Sequence, residues 1–320
     1  MNRVKAIILI QLFFITVQGT VGQQVPQFSQ YLFNPIYINP AYTGYKNDLF
    51  VQSFYRRQWS GIKGAPETYG IAADGMLPSQ NLGIGVIAMG DQIGLQSTHS
   101  LYANAAYHLQ LGADSYLSFG TGLGIVNYRM NSEDYDPTVV DDPTLSAGGG
   151  SLFYPDLRLG LLFYSEHVFL GISVDQVLGN ILNFENADLI VNPQRSYTFS
   201  LGGIIDLTDR LLLKPSVLLM DDSRAMTRAD FNLLFMYDEA IGVGVGHRRS
   251  FHLFDRPEYV ADNNNVGLLV LTEIRLGESL RLGYSFDYPM AGLWVGNSHE
   301  LSLGFLVTSR RSRLRSPRYF

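Results

Sequence analysis

The sequence predicts an all-β fold: a transmembrane antiparallel β-barrel of about fourteen strands, preceded by an N-terminal segment that is not strand. Three observations lead there. Stretches of about ten residues alternate apolar with small or polar residues, the period of a sheet with two different faces. The joints between them alternate short and long. Leu77 to Leu82, Leu111 to Ser115, Ser165 to His167, Asp206 to Arg210, Asp238 to Ala240 and Leu276 to Ser279 are tight, whereas Met130 to Pro155, Asp175 to Arg195 and Arg248 to Asn264 are open and polar. A soluble sandwich has no reason to collect its long loops at one end of an even-numbered meander; an outer-membrane barrel, with short periplasmic turns and long outer loops, does. Finally, beyond the first apolar stretch no run approaches the length of a membrane helix, the richest being Val266 to Leu271, so any membrane span must be a closed barrel.

Residues 1–22 carry Arg3 and Lys5, an apolar run from Ala6 to Val17, and small residues at Thr20 and Gly22. This is the pattern of a cleaved secretory signal, with Gln23 as the first mature residue. The chain has no cysteine, which rules out a lipoprotein anchor and disulfide staples. Residues 23–47 break strand periodicity with Pro26, Pro35 and Pro40 set among Phe28, Tyr31, Phe33, Tyr37 and Tyr42. So many aromatics are unfavourable in water, and the segment is expected to plug the lumen or to bind a partner.

Residues 48–308 are expected to form the barrel, with strands near Leu49 to Trp59, Thr68 to Met76, Leu82 to Met89, Thr98 to Leu109, Tyr116 to Tyr128, Leu157 to Tyr164 and Val168 to Val174. The second half continues with Tyr197 to Ile205, Leu211 to Met220, Ala229 to Tyr237, Ile241 to His247, Val266 to Ile274, Leu280 to Phe286 and His299 to Val307. Leu117, Phe119, Thr121, Leu123 and Ile125 belong on the lipid face, and Ser118, Gly120, Gly122 and Gly124 on the lumenal face; Leu170 and Leu201 are lipid-facing for the same reason. Tyr55, Trp59, Tyr107, Tyr128, Tyr164 and Tyr237 stand near strand ends, where an interfacial aromatic girdle belongs. The even strand count places both termini on the periplasmic side of an integral outer-membrane protein. Residues 309–320 form a tail in which Arg310, Arg311, Arg313, Arg315 and Arg318 are suited to lipid phosphates or an acidic periplasmic surface.

Removing Arg3 and Lys5 with the signal takes the formal charge from −6 to −8, which gives no support to a nucleic-acid partner. No catalytic, cofactor or metal constellation emerges. His99, His108, His167, His247, His252 and His299 form no HExxH and have no cysteine companions. Ser100 beside His99, and Ser298 beside His299, point to opposite faces of a strand and make no nucleophile and base pair. Asn131, Glu133, Asp134, Asp136, Asp141 and Asp142 crowd one loop but lack the glycine turn and terminal Glu of a calcium loop. GTGLG at Gly120 to Gly124 and GVGVG at Gly242 to Gly246 alternate with apolar residues and open no helix. They are better explained by relief of crowding where strands bend or another segment approaches than by phosphate binding.

Several segments resemble the PorP/SprF family of outer-membrane proteins of the type IX secretion system: PQFSQYLFNPIYINPAYTG, RRQWSGIKGAPETYGIAADG, NLGIGVIAMGDQIG, PDLRLGLLFYSEHVFLGISV, LLLKPSVLLM, SLRLGYSFDYP and SHELSLGFLV. The likeness runs over nearly the whole mature chain. It implies a non-enzymatic barrel that assists export, retention or anchoring of a secreted surface protein through that protein's C-terminal sorting domain. Links to periplasmic type IX components and to gliding motility are implied in the same way. Asn131 to Thr144 and Phe251 to Asn265 match no family pattern. The alternative reading is a passive porin or small-solute channel, because a barrel of about fourteen strands is wide enough for a lumen unless plugged; a hydrolase is disfavoured by the missing constellation.

Overall fold

The computed structural model describes residues 26–78, 81–130, 150–179, 185–186, 189–190, 193–222, 226–251, 253, 266–290 and 296–307. Fourteen strands close a single antiparallel barrel. They are β1 Leu49–Arg57, β2 Glu67–Met76, β3 Leu82–Ile93, β4 Gln96–Gln110, β5 Tyr116–Met130, β6 Gly150–Tyr164 and β7 Val168–Asp175. The circuit continues with β8 Ser196–Gly203 and its prolongation Ile205–Thr208, β9 Leu211–Asp221, β10 Thr227–Tyr237, β11 Ile241–Phe251, β12 Val266–Leu276, β13 Leu280–Pro289 and β14 Ser298–Val307. Each strand pairs with its chain neighbours, and β1 closes on β14 from Leu49 opposite Val307 to Arg57 opposite His299. Closure gives the backbone groups facing lipid a ladder partner, which the hydrocarbon itself cannot supply.

The pleat separates the faces as the sequence alternation requires. In β5, Leu123 and Ile125 are about 60% exposed while Ser118, Gly120 and Gly122 are buried. In β7 and β8, Leu170, Ile172, Tyr197 and Leu201 point out, while Gly171, Ser173, Thr198 and Ser200 point in. The same outward apolar row continues through Ile71, Val86, Leu101, Val243, Val245 and Leu301. A continuous apolar band of this kind is unfavourable in water and suits the hydrocarbon of a bilayer.

Several details depart from expectation. The connection between β3 and β4 is only Gly94 and Leu95, with Gly94 at φ 57°, so one long-loop-side joint is as tight as the turns opposite. Asp91 and Gln92, which look loop-like in the sequence, are strand residues paired with Thr98 and Ser97. β6 begins at Gly150, well before Leu157, and contains Pro155. Proline is tolerated because pairing with β7 starts only at Leu159, so no ladder bond is lost on that side. Pro215 lies in mid-β9, and β8 breaks opposite it, between Gly203 and Ile205; Ile204 N donates instead to His167 O at 2.8 Å. Tyr55, Trp59, Tyr107 and Tyr237 are exposed near strand ends. Tyr164 is not part of such a girdle: it is 2% exposed, turned inward, and its hydroxyl lies 2.9 Å from His108 Nδ1.

The strand termini Leu49 and Val307 both lie at the short-turn end, as an even count demands. The N-terminal segment does not stop there. It runs back through the lumen, so that Ser29 sits among the long-loop ends of β1, β11, β13 and β14, and Gly44 at the short-turn end of β2. The strand count therefore positions the barrel's own ends but not Pro26, the first described residue, which lies toward the opposite mouth.

Candidate functional site

Residues 26–48 have no strand partner, so each buried backbone group must find another acceptor or donor. The prolines organise the path. Pro35 and Pro40 each open a single 3-10 turn, Pro35–Tyr37 and Pro40–Tyr42, where the fixed φ suits the first position and the missing N–H costs nothing. Asn39 caps the second turn by accepting from Ala41 N at 2.8 Å, and its Nδ2 donates to Leu161 O and Ile172 O at 3.0 and 3.3 Å. Gly44, at φ 79°, and Asn47, at φ 66°, bend the chain before β1, and the Gly44 N–H donates to Asp74 Oδ2 at 2.7 Å.

Turns within the segment satisfy several backbone groups, as Phe33 N does with Gln30 O at 2.9 Å, and others are met by polar side chains that the strands direct inward. Arg228 Nη2 donates to Phe28 O at 2.6 Å, Arg158 Nη2 to Tyr37 O at 2.7 Å, Ser173 to Ile38 O at 2.6 Å and Ser118 to Ala41 O at 2.8 Å. Arg281 donates to Phe33 O, and His108 Nε2 lies 2.8 Å from Thr43 O. Glu300 accepts from the N–H groups of Ser29 and Gln30 at 2.8 and 3.2 Å. Gly120 and Gly160 complete the fit: a Cβ at Gly120 would overlap the backbone of Ala41, and one at Gly160 would overlap Asn39. Thus one glycine of GTGLG makes room for the segment, while those of GVGVG meet side chains of neighbouring strands, such as Asn232 against Gly246.

Phe28, Tyr31, Phe33, Tyr37 and Tyr42, singled out in the sequence, are all buried at 5% exposure or less, as are Ile36, Ile38 and Tyr45. Phe28 and Tyr37 both pack edge-on against Phe54 of β1, with ring centroids 5.0 and 4.8 Å away. Tyr42 meets Tyr45 and Phe169 in the same manner. Tyr37 donates to Gln52 O at 3.3 Å, whereas the Tyr45 hydroxyl, buried beside them, has no hydrogen-bond partner among the described residues. Tyr31 is bonded to Ser216 at 2.8 Å.

Around Ser29 the long-loop half of the lumen holds a charge network that sequence reasoning missed. Arg56, 1% exposed, reaches Asp287 at 2.7 Å, Glu300 at 3.1 Å and Ser29 Oγ at 2.8 Å. Arg248 bridges Asp230 at 2.8 Å and Asp287 at 2.9 Å, and its Nη2 donates to Ser29 Oγ at 2.9 Å. Arg228 pairs with Asp230. Three guanidiniums and three carboxylates balance, so the network is neutral and depends on mutual pairing. Its only sequence signal was charge at inward strand positions, such as Arg228 and Asp230 in register with Asn232. Among the described residues no group of three His, Asp or Glu could hold a metal ion. The tail residues Arg310, Arg311, Arg313, Arg315 and Arg318, and the acidic loop Asn131 to Thr144, lie outside the described residues.

Against known proteins, residues 20–305 match the family described as type IX secretion system membrane protein PorP/SprF. No curated protein matches the chain. Among solved structures, the CymD monoaromatic hydrocarbon channel is similar over 91% of this chain and 96% of its own, with 13% identity and a TM-score of 0.53. A Pseudomonas aeruginosa FadL homologue shares 10% identity over 90% of this chain and 96% of its own, with a TM-score of 0.48. The KdgM porin shares 7% over 81% and 99%, with a TM-score of 0.39. At such identities the likeness concerns the barrel fold alone.

Proposed function

Since the chain belongs to the PorP/SprF family of type IX secretion system membrane proteins, we propose that it is a non-enzymatic outer-membrane accessory that helps export, retain or anchor a secreted surface protein. The observation that carries this reading over a passive porin is the occupied lumen. Phe28 to Lys46 are buried inside the barrel, and their backbone is bonded to β5, β6, β7, β10, β13 and β14. A solute channel needs that volume free; an accessory that binds its cargo by outer loops or rim does not. In this reading the short turns face the periplasm and the long loops the cell surface. Leu49 and Val307 are then periplasmic, Pro26 points outward, and the Arg-rich tail 309–320 meets lipid phosphates or periplasmic secretion components.

Deletion of the gene tests the proposal. One or a few large proteins should vanish from the cell surface while small-solute uptake stays normal, and a reporter fused to the cargo's C-terminal sorting domain should lose its display. Normal display together with loss of uptake of one nutrient would overturn the secretion reading in favour of the channel.

A further inference from the structure

The two ends of the lumen differ in charge balance. At the long-loop end three arginines face three carboxylates in direct contact. At the short-turn end Lys46, Lys214, Arg275 and Arg281 converge, and the carboxylates whose charge acts on the two lysines are Glu273, Asp74 and Glu239. Glu273 is bound to Arg275 at 2.7 Å, and Asp74 accepts from Gly44 N at 2.7 Å and Gln52 Nε2 at 3.4 Å. Arg275 and Arg281 stand directly opposite each other across the β12–β13 hairpin, a like-charge pairing that destabilises a sheet unless compensated.

Lys46 and Arg281 line a small, half-open pocket of about 30 Å³ with Phe50, Arg275, Gly277 to Leu280 and Leu306. Lys46 is 7% exposed, and its Nζ sits 3.3 Å from the centroid of the Phe50 ring. Among the described residues it has neither a hydrogen-bond acceptor nor an ion-pair partner. An ammonium held this way calls for an anion, because a cation–π contact replaces only part of its lost hydration. Glu278 lines the rim but makes no ion pair with Lys46.

We infer that this pocket is an oxyanion site at the short-turn mouth, taking one carboxylate or phosphate group from the aqueous side between Lys46 and Arg281. The pocket lies inside the barrel wall, since Phe50 and Leu306 are inward-facing and buried, so its ligand comes through the mouth and not from the surrounding bilayer.

The test uses the full mature chain purified in detergent. Titration with inorganic phosphate, followed by phosphorus NMR line width and by thermal unfolding at constant ionic strength, should show saturable broadening. It should also raise the unfolding midpoint by several degrees over chloride, as for any ligand that binds only the folded state. Lys46→Met should weaken binding at least tenfold, Lys46→Arg should retain it, and Arg210→Met, on an exposed turn, should leave it unchanged. Competition by a short peptide with a free C-terminal carboxylate, but not by its amide, identifies a carboxylate as the ligand; failure of both to compete while phosphate binds identifies a phosphate. Equal protection by chloride, binding undiminished in Lys46→Met, or no broadening with the unmutated protein would overturn the site. The last result decides the matter even if the Met variant does not fold.

Discussion

Replacing Arg56 by Met removes the centre of the lumenal charge network while keeping most of the side-chain volume. Breaking a buried pair by removing one partner costs about 3–5 kcal/mol, because the other charge is left uncompensated. Here the loss falls at the low end, for reasons visible in the contacts. Asp287 keeps Arg248 at 2.9 Å, and Glu300 keeps the N–H groups of Ser29 and Gln30. The expected destabilisation is therefore about 3 kcal/mol, read from urea unfolding of the barrel in lipid vesicles. The companion Arg56→Met/Glu300→Gln should recover about 1 kcal/mol or more, since the neutral amide no longer needs a counter-charge. A loss below about 1 kcal/mol for Arg56→Met, the size of an exposed pair, would refute the reasoning. A double variant less stable than the single one would refute it equally.

Three further outcomes are expected. Leu170→Arg and Leu201→Arg, on the lipid face near mid-strand, should each destabilise the barrel by about 2–4 kcal/mol in vesicle unfolding; a change near zero would mean these positions do not face hydrocarbon. Gly120→Val places a branched side chain against the Ala41 backbone and should dislodge the N-terminal segment, seen as new protease cleavage within residues 26–48 while the barrel still migrates as folded on unheated gels. A cysteine at Gln27 should be labelled by a membrane-impermeant maleimide on intact cells and one at Gly277 should not; the reverse pattern would invert the orientation proposed here.

Much of the fold is legible in the sequence because a barrel wall obeys a strict period. In β5, β7 and β8 each outward residue is apolar and each inward one small or polar, and the tight turns punctuate them. The first half of β6 is not legible for the same physical cause read in reverse: Pro155 and Asp156 are loop-like in composition, yet Asp156 faces a polar lumen and Pro155 lies before the pairing with β7 begins. Tyr164 deceives in another way, since a tyrosine at a strand end suits an interface as well as it suits His108. The aromatics of residues 23–47 announce burial by composition. Their partners do not, because Arg56, Asp230, Arg248, Asp287 and Glu300 are far apart in the chain and meet only when strand register brings their inward faces together. The positive excess around Lys46 is hidden likewise, arising from Lys214, Arg275 and Arg281 on three different strands.

Whether the N-terminal segment closes the lumen can be read from single-channel conductance in planar bilayers. The full mature chain should show almost no ion current, and deletion of Val25 to Asn39 should open stable channels while the barrel remains folded. A large conductance from the full chain, or no increase after a deletion that leaves the barrel intact, would contradict the account.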